Sequence, residues 1–241
     1  MVNKCTKIVQ SWLYPAACAL CGATGDGGLD LCAACRGDLP YNTAACSRCA
    51  LPLTGSVASD ALCGHCLRHP PAYQRSLAPF RYAPPLDYLL QRLKFNGRLV
   101  YARLLGTLMA EHLAQRLTLL PERIIPVPLH RARLSERGFN QALELARPIA
   151  RRLGVALDCT SCERLRATAA QSQLPAAQRR ANVRNACRVN SAITARHVAV
   201  VDDVVTTGNT VNELARALRR AGVKTVEIWA CGRAGLERLT K

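Results

Sequence analysis

Val198-Ala199-Val200-Val201-Asp202-Asp203-Val204-Val205-Thr206-Thr207-Gly208-Asn209-Thr210 is the stretch that decides the fold. Its four leading apolar residues make a buried strand, and open α/β sheets bind ligands at the C-terminal ends of such strands. Asp202 and Asp203 stand at that end, where two adjacent carboxylates can accept hydrogen bonds from a vicinal diol. Thr206, Thr207, Gly208, Asn209 and Thr210 then form a loop of small residues opening a helix. Backbone N–H groups, hydroxyls and the helix dipole converge there on a phosphate. Acids that hold a diol beside a phosphate cradle describe a pocket for a ribose 5-phosphate. A strand followed by a capped helix accounts for the threonines and the glycine but not for the acids. Side-by-side charges at a strand end are costly unless a ligand or a cation uses them. The loop lacks the Gly-Lys-Ser/Thr of a Walker A motif and the G-x-G-x-x-G of a dinucleotide fold.

Outward from this stretch the chain alternates short β-like runs with helical periods. Leu77–Tyr82, Ile124–Val127, His197–Val201 and Thr225–Ala230 read as strands. Leu86, Leu89, Leu90 and Leu93 mark one face of a helix that Asn96-Gly97 ends, and a second leucine-rich helix runs from Leu99 to Leu113. Phe139–Leu153 has helical spacing, with Pro148 expected to kink or divide it. Asn209–Arg220 is a helix stopped by Gly222, and Gln173–Asn185 reads as a mobile loop entering a short helix. The alternation predicts an α/β domain, a mostly parallel sheet with helices on both faces. A chain of 241 residues has room for that domain and one small satellite, with the boundary expected between residues 1–70 and 71–241.

The satellite is defined by cysteine. Cys18/Cys21, Cys32/Cys35, Cys46/Cys49 and Cys63/Cys66 are four C-x-x-C pairs within 49 residues. Each pair on a tight turn aims two thiolates at one ion, and two pairs complete a tetrahedral four-sulfur shell. Eight ligands make two structural zinc sites. Sequential and interleaved pairing are both sterically open. Redox dithiols or an iron–sulfur cluster would also use such pairs, but a redox C-x-x-C stands alone at a helix start. His65 reads as a spacer, since four sulfurs already complete the shell. Cys159/Cys162 have no second pair nearby, and with Cys5, Cys187 and Cys231 they read as ordinary small side chains.

Thirteen cysteines would fit a secreted scaffold, yet Gln10, Ser11 and Pro15 break the only N-terminal apolar run, so reduced thiols and a cytoplasmic protein are expected. No run approaches the length of a membrane span. The net charge is +17, and residues 1–66 contribute none of it, with four basic and four acidic side chains. From Leu67 onward 29 basic residues face 12 acidic ones, and only three of the 29 are lysine. Arginine suits bidentate contact with phosphate, so this surface favours nucleotides, nucleic acid or other polyanions. Aromatic content of 5% weighs against extensive base stacking.

Val198–Thr210 resembles the phosphoribosyl-diphosphate (PRPP) motif of type I phosphoribosyltransferases. The order of paired C-x-x-C, Arg92-Leu93-Lys94-Phe95, Pro126-Val127-Pro128-Leu129, Arg137-Gly138-Phe139-Asn140-Gln141, Arg179-Arg180-Ala181-Asn182-Val183 and Asp202-Asp203 resembles the ComF/GntX family over about Cys18 to Ala230. The resemblance implies a double zinc ribbon on a phosphoribosyltransferase-like domain. It implies that Asp202 and Asp203 hold the ribose hydroxyls and that Thr206–Thr210 hold the 5-phosphate. Pro128-Leu129-His130-Arg131 would be the pyrophosphate loop, and Gln171–Arg180 a mobile loop closing over the site. Catalysis would displace pyrophosphate at C1 by a nitrogen nucleophile, with Mg²⁺ and the candidates Arg131, Arg133 and Arg137 neutralising the leaving group. His130 is a candidate proton carrier or phosphate ligand, or a simple hydrogen-bonding residue. Purine-salvage relatives have a carboxylate base where this chain has Thr206, which argues against purine salvage. The family name implies DNA uptake and utilisation, hence single-stranded DNA and proteins of an uptake machinery as partners. A transferase and a non-catalytic PRPP-sensing regulator share the same motifs, which therefore do not separate them. On these residues alone, Asp203→Asn is expected to weaken PRPP binding without loss of stability.

Overall fold

The computed structural model describes residues 16–96, 98–166, 186–189 and 193–235. In chain order its elements are α1 (Ala33–Gly37), α2 (Gly64–Arg68), β1 (Arg75–Leu77), β2 (Phe80–Arg81), α3 (Leu86–Asn96), α4 (Leu99–Arg116), β3 (Arg123–Pro126), α5 (Arg131–Arg137), α6 (Gln141–Leu153), β4 (Ala156–Leu157), β5 (Cys162–Arg164), β6 (Cys187–Val189), β7 (His197–Val205), α7 (Asn209–Arg220) and β8 (Thr225–Arg233). Six strands form one parallel sheet in the order β1-β8-β7-β3-β4, with β2 continuing along β8 beyond β1. The predicted loops Gln171–Arg180 and Gln173–Asn185, and the Arg179–Val183 motif, lie outside the described residues.

Alternation along β7 divides its side chains between two cores. Ala199 and Val201 join Ile124, Trp229 and Cys231 beneath α3, α4 and α6, while Val198 and Val200 join Ile125, Ile228 and the inner face of α7. All of these strand residues are buried, as a sheet covered on both faces requires. The expected strand ends move. β7 runs on through both acids to Val205, because β8 keeps pairing with it (Asp202 with Ala230, Val204 with Gly232) after β3 has stopped at Pro126. The predicted Leu77–Tyr82 strand is two pieces. Pro79 between them has no N–H to give, and its carbonyl accepts from the backbone N of Asn42 at 2.8 Å.

Pro148 neither ends nor divides α6. The room for its ring comes from Gly106 of α4, where a Cβ would lie 2.4 Å from Pro148 Cγ and 2.7 Å from the Leu145 carbonyl oxygen. The antiparallel pair β5–β6 was not expected, and neither was α5. The first cysteine cluster is anchored on α4: Cys18, Leu31 and Leu39 enter the same core, and Arg36 pairs with Glu111 and Arg103 with Asp30, each at 2.6 Å. Among the described residues no helix is long and apolar enough to cross a membrane.

Gly106→Ala tests this packing. Alanine is favoured over glycine by about 1 kcal/mol inside a helix, so packing must overcome that gain. A rigid ring and a backbone carbonyl cannot yield, and overpacking of this kind costs about 1–3 kcal/mol. Chemical denaturation should show net destabilisation of Gly106→Ala, whereas a stabilised variant would refute the close approach of α4 and α6.

Candidate functional site

The ends of neighbouring strands bring the predicted segments together. Val127 N donates to Val201 O at 2.9 Å, which sets the turn Pro128-Leu129-His130-Arg131 beside Asp202 at the C-terminal edge of the sheet. The turn runs directly into α5, and His130 caps that helix, its Nδ1 accepting from Ala132 N at 3.3 Å. Arg137, at the other end of α5, donates to Gln141 Oε1 at 2.6 Å. Asn140 caps α6 by accepting from Ala142 N at 3.0 Å and donates to Val127 O at 3.0 Å. Much of the Arg137–Gln141 motif thus fixes the corner that holds the turn, while Arg131 is exposed. Pro128 and Leu129 also line a cavity of about 380 Å³ together with Leu134, Phe139 and Cys162, and none of Asp202, Asp203 or Thr206–Thr210 lines it.

Past Val205 the chain turns through Thr206–Gly208 into α7. Gly208 is the N-cap and has φ of 80°, a left-handed conformation that glycine adopts without strain. Thr207 Oγ accepts from Asn209 N at 3.4 Å, and the helix N-terminus opens at Asn209 and Thr210. A strand-end acid therefore stands next to a glycine-turned helix N-terminus, where backbone donors and dipole favour an anion.

The two acids are not equivalent. Asp203 is buried, and Lys94 in the last turn of α3 makes an ion pair with its Oδ2. The cation that the acid pair calls for is thus supplied by the chain. Burial alone would raise the Asp203 carboxyl, but Lys94 outweighs it and holds the pKa below the ordinary value. Lys94 is pushed up in turn, burial being outweighed by Asp203. Asp202 accepts from Asp203 N at 2.9 Å and is held well above the usual carboxylate range, first by burial and then by the charge of Asp203. Lys94 belongs to the Arg92-Leu93-Lys94-Phe95 motif, and the sequence alone assigns it no role. The legible signal is one of only three lysines in a domain whose other basic residues are arginine, since a slim ammonium fits a slot that a guanidinium does not.

Arg233 was not anticipated. It ends β8 with its side chain buried, donating from Nε to Cys49 O at 2.9 Å and from Nη1 to Val205 O at 3.0 Å, to Ala234 O at 2.9 Å and to Thr206 O.

The cysteine pairing is sequential. Cys18, Cys21, Cys32 and Cys35 form one group and Cys46, Cys49, Cys63 and Cys66 another, with all four sulfurs of each group within 4.8 Å of one another. Four sulfurs at a Zn–S length near 2.3 Å stand about 3.8 Å apart in a tetrahedron. Cys21 and Cys32 are 3.7 Å apart at sulfur, as are Cys49 and Cys63, so both groups fit structural zinc. Burial would raise Cys18 and Cys46, but backbone N–H donors outweigh it and bring them to about 6 and about 7. His65 packs its ring against His69 at 5.5 Å and belongs to neither group. Cys159 is exposed, and Cys162 and Cys231 are buried without a disulfide.

The chain resembles known proteins over most of its length. The chain is 42% identical over 222 residues to the DNA utilization protein YhgH of Escherichia coli O157:H7, covering 89% of this chain and 96% of that one. It is 34% identical to competence protein F of Haemophilus influenzae, over 84% and 96% of the two chains. The chain belongs to this YhgH/competence protein F family. Residues 9–67 match the double zinc ribbon domain and residues 140–234 the phosphoribosyl transferase domain. Glutamine PRPP amidotransferase from B. subtilis is a distant structural neighbour, 19% identical over 52% of this chain and 26% of that one, at a TM-score of 0.36. Within this family frame the parallel sheet carries the transferase-like domain and the two four-cysteine groups form the ribbon.

The ion pair reverses the stability expected of Asp203→Asn. That variant leaves Lys94 buried without its partner, a loss of up to about 3–5 kcal/mol, lessened because a quarter of the Lys94 side chain is exposed. Asp203, held low, adds stability at neutral pH that is lost as the pH falls below about 4. Asp202, held high, has the opposite sign, and its ionisation opposes folding from about pH 4 upward. At pH 7 Asp203→Asn should melt well below the wild type and Asp202→Asn at or above it; equal melting of the two variants would refute the assignment. Elemental analysis should find about two zinc ions per chain, and an iron–sulfur absorbance band would refute the metal assignment.

Proposed function

We propose that the chain binds PRPP, or a related phosphoribosyl compound, at Asp202 and Thr206–Thr210, and binds single-stranded DNA on a separate basic face while serving DNA utilisation in the cytoplasm. The boundary near residue 70 would separate a metal-held ribbon from the binding domain. The observation that carries the reading is the junction of β7 and α7, where Asp202 is followed by a glycine turn into a helix N-terminus. With Asp203 paired to Lys94, Asp202 is the acceptor left for a ribose hydroxyl, and Asp203 and Lys94 hold it in place. Pro128–Arg131 would face the pyrophosphate, and a bound Mg²⁺ would supply charge neutralisation there. The names of the relatives, a DNA utilization protein and a competence protein, support the DNA half.

The opposite end of the sheet supports it too. Arg123, Arg196 and Lys224 sit exposed at the starts of β3, β7 and β8, joined by backbone bonds from Lys224 N to Arg196 O (2.9 Å) and from Glu122 N to His197 O (2.9 Å). Arg116, Arg151, Arg152, Arg219 and Arg220 lie exposed at the C-termini of α4, α6 and α7, which end on that same edge. Helix dipoles favour cations at such ends, yet Arg123, Arg196 and Lys224 are on no helix. Glu122 is the acid beside them, and it already accepts from Arg196 N and His197 N. No aromatic side chain is among these residues, so contact would be with phosphates rather than bases.

A second reading, phosphoribosyl transfer to a nitrogen acceptor, is favoured by the cavity bounded by Pro128 and Leu129. Its volume of about 380 Å³ lies within the range of small-molecule sites. PRPP binding, single-stranded DNA binding and pyrophosphate release measured on one preparation separate the readings. DNA affinity should fall steeply with salt, and replacing Arg123, Arg151, Arg152 and Arg220 together by alanine should lower the log–log slope by about 0.7 for each phosphate contact removed. A salt-independent affinity refutes the DNA half. Asp202→Ala, which removes the acceptor, should weaken PRPP binding by about 0.5–1.5 kcal/mol, and unchanged affinity refutes the pocket.

A further inference from the structure

Arg233 is a buried cation with an unusual set of partners. It is 5% exposed, and among the described residues no carboxylate pairs with it. Its donors end on carbonyls from two separate places: Cys49 in the ribbon, and Val205 and Thr206 at the start of the phosphate loop, with Ala234 beside them. A guanidinium withdrawn from water is costly unless negative charge lies near. The second cysteine group would provide it when it holds zinc, since four thiolates around one Zn²⁺ would leave a net charge of −2. Tyr73 makes a second bridge. It is buried in one core with Ala50, the residue after Cys49, and with Val205, and its hydroxyl lies 3.6 Å from where a Gly208 Cβ would stand. The first cysteine group has a different footing, through Arg36–Glu111 and Asp30–Arg103 on α4.

We infer that Arg233 is a positioning residue that couples the second cysteine group to the Thr206–Thr210 loop, so that metal held by Cys46, Cys49, Cys63 and Cys66 orders the phosphate cradle. The fork fits this task, since its nitrogens satisfy both segments at once and fix the distance between them. Coupling is reciprocal: whatever binds the ordered loop strengthens retention of metal at the second group and not at the first. The ligand side of this inference rests on the phosphoribosyl reading, whereas the effect of metal on the loop does not.

Amide hydrogen exchange on the full chain tests it, with zinc content measured on each sample. In Cys63→Ser and in Arg233→Lys, the amides of Thr206–Thr210 should exchange at least about tenfold faster than in the wild type. In Cys21→Ser, which removes a ligand of the first group, they should not change. Protection of Val198–Val201 in β7 shows that the sheet remains folded, and should Cys63→Ser lose it, Arg233→Lys decides alone. Unchanged loop exchange in Arg233→Lys, or an equal increase in Cys21→Ser, overturns the coupling. In a second arm, PRPP should slow zinc transfer to a chromophoric chelator about tenfold from one of the two sites, and should not do so in Arg233→Lys. A wild type that binds no PRPP overturns the phosphoribosyl reading and leaves the exchange result to judge the coupling. A wild type that binds PRPP with equal zinc loss from both sites overturns the reciprocal link.

Discussion

A parallel sheet buried on both faces leaves only its two ends free, and β7 lies inside such a sheet. Ala199 and Val201 point into one core, Val198 and Val200 into the other, and β3 and β8 flank the strand. Polar side chains on this strand are therefore confined to its ends: His197 at the start, and Asp202 and Asp203 where β3 has stopped and only β8 continues. Asp202, Asp203 and the turn into α7 occupy that opening. Charges there are still half enclosed, so each one needs a partner. Lys94 meets Asp203 from α3, and Asp202, without such a cation, holds its proton above the ordinary range because of burial and its neighbour. A carboxyl whose pKa is displaced by burial and a like charge is the kind of group that clusters at functional sites.

The ribbon meets a different constraint. It has few large apolar residues with which to form a core, so metal ligation supplies the folding free energy that packing cannot. Its two halves rest on different parts of the sheet domain, the first on α4 and the second against the phosphate loop through Arg233 and Tyr73. The ribbon is thus built into both cores and does not hang from a linker.

Much of this was legible in the residue pattern. Val198–Thr210 predicted the buried strand, the turn and the helix, because apolar runs and small-residue loops are local signals. The C-x-x-C pairs predicted two four-sulfur groups for the same reason, but not their pairing, which depends on how the turns are placed in space. Lys94 and Arg233 stand more than 100 and nearly 30 residues from the groups they serve, Asp203 and Val205, and no local period links them. Pro148 misled because its helix-breaking effect is local while the room for its ring comes from Gly106 on another helix. The β5–β6 pair escaped because strands of three residues carry too little alternation to read.

The β7–α7 turn is proposed as a phosphoribosyl cradle whose shape depends on Lys94–Asp203 and Arg233. Amide ¹H–¹⁵N spectra of the zinc-loaded chain, recorded while PRPP and Mg²⁺ are added, test it most directly. The account predicts saturable shifts centred on Thr206–Thr210 and Asp202, with the basic edge at Arg123, Arg196 and Lys224 undisturbed. Shifts confined to that basic edge, or none at the turn at saturating PRPP, would contradict it.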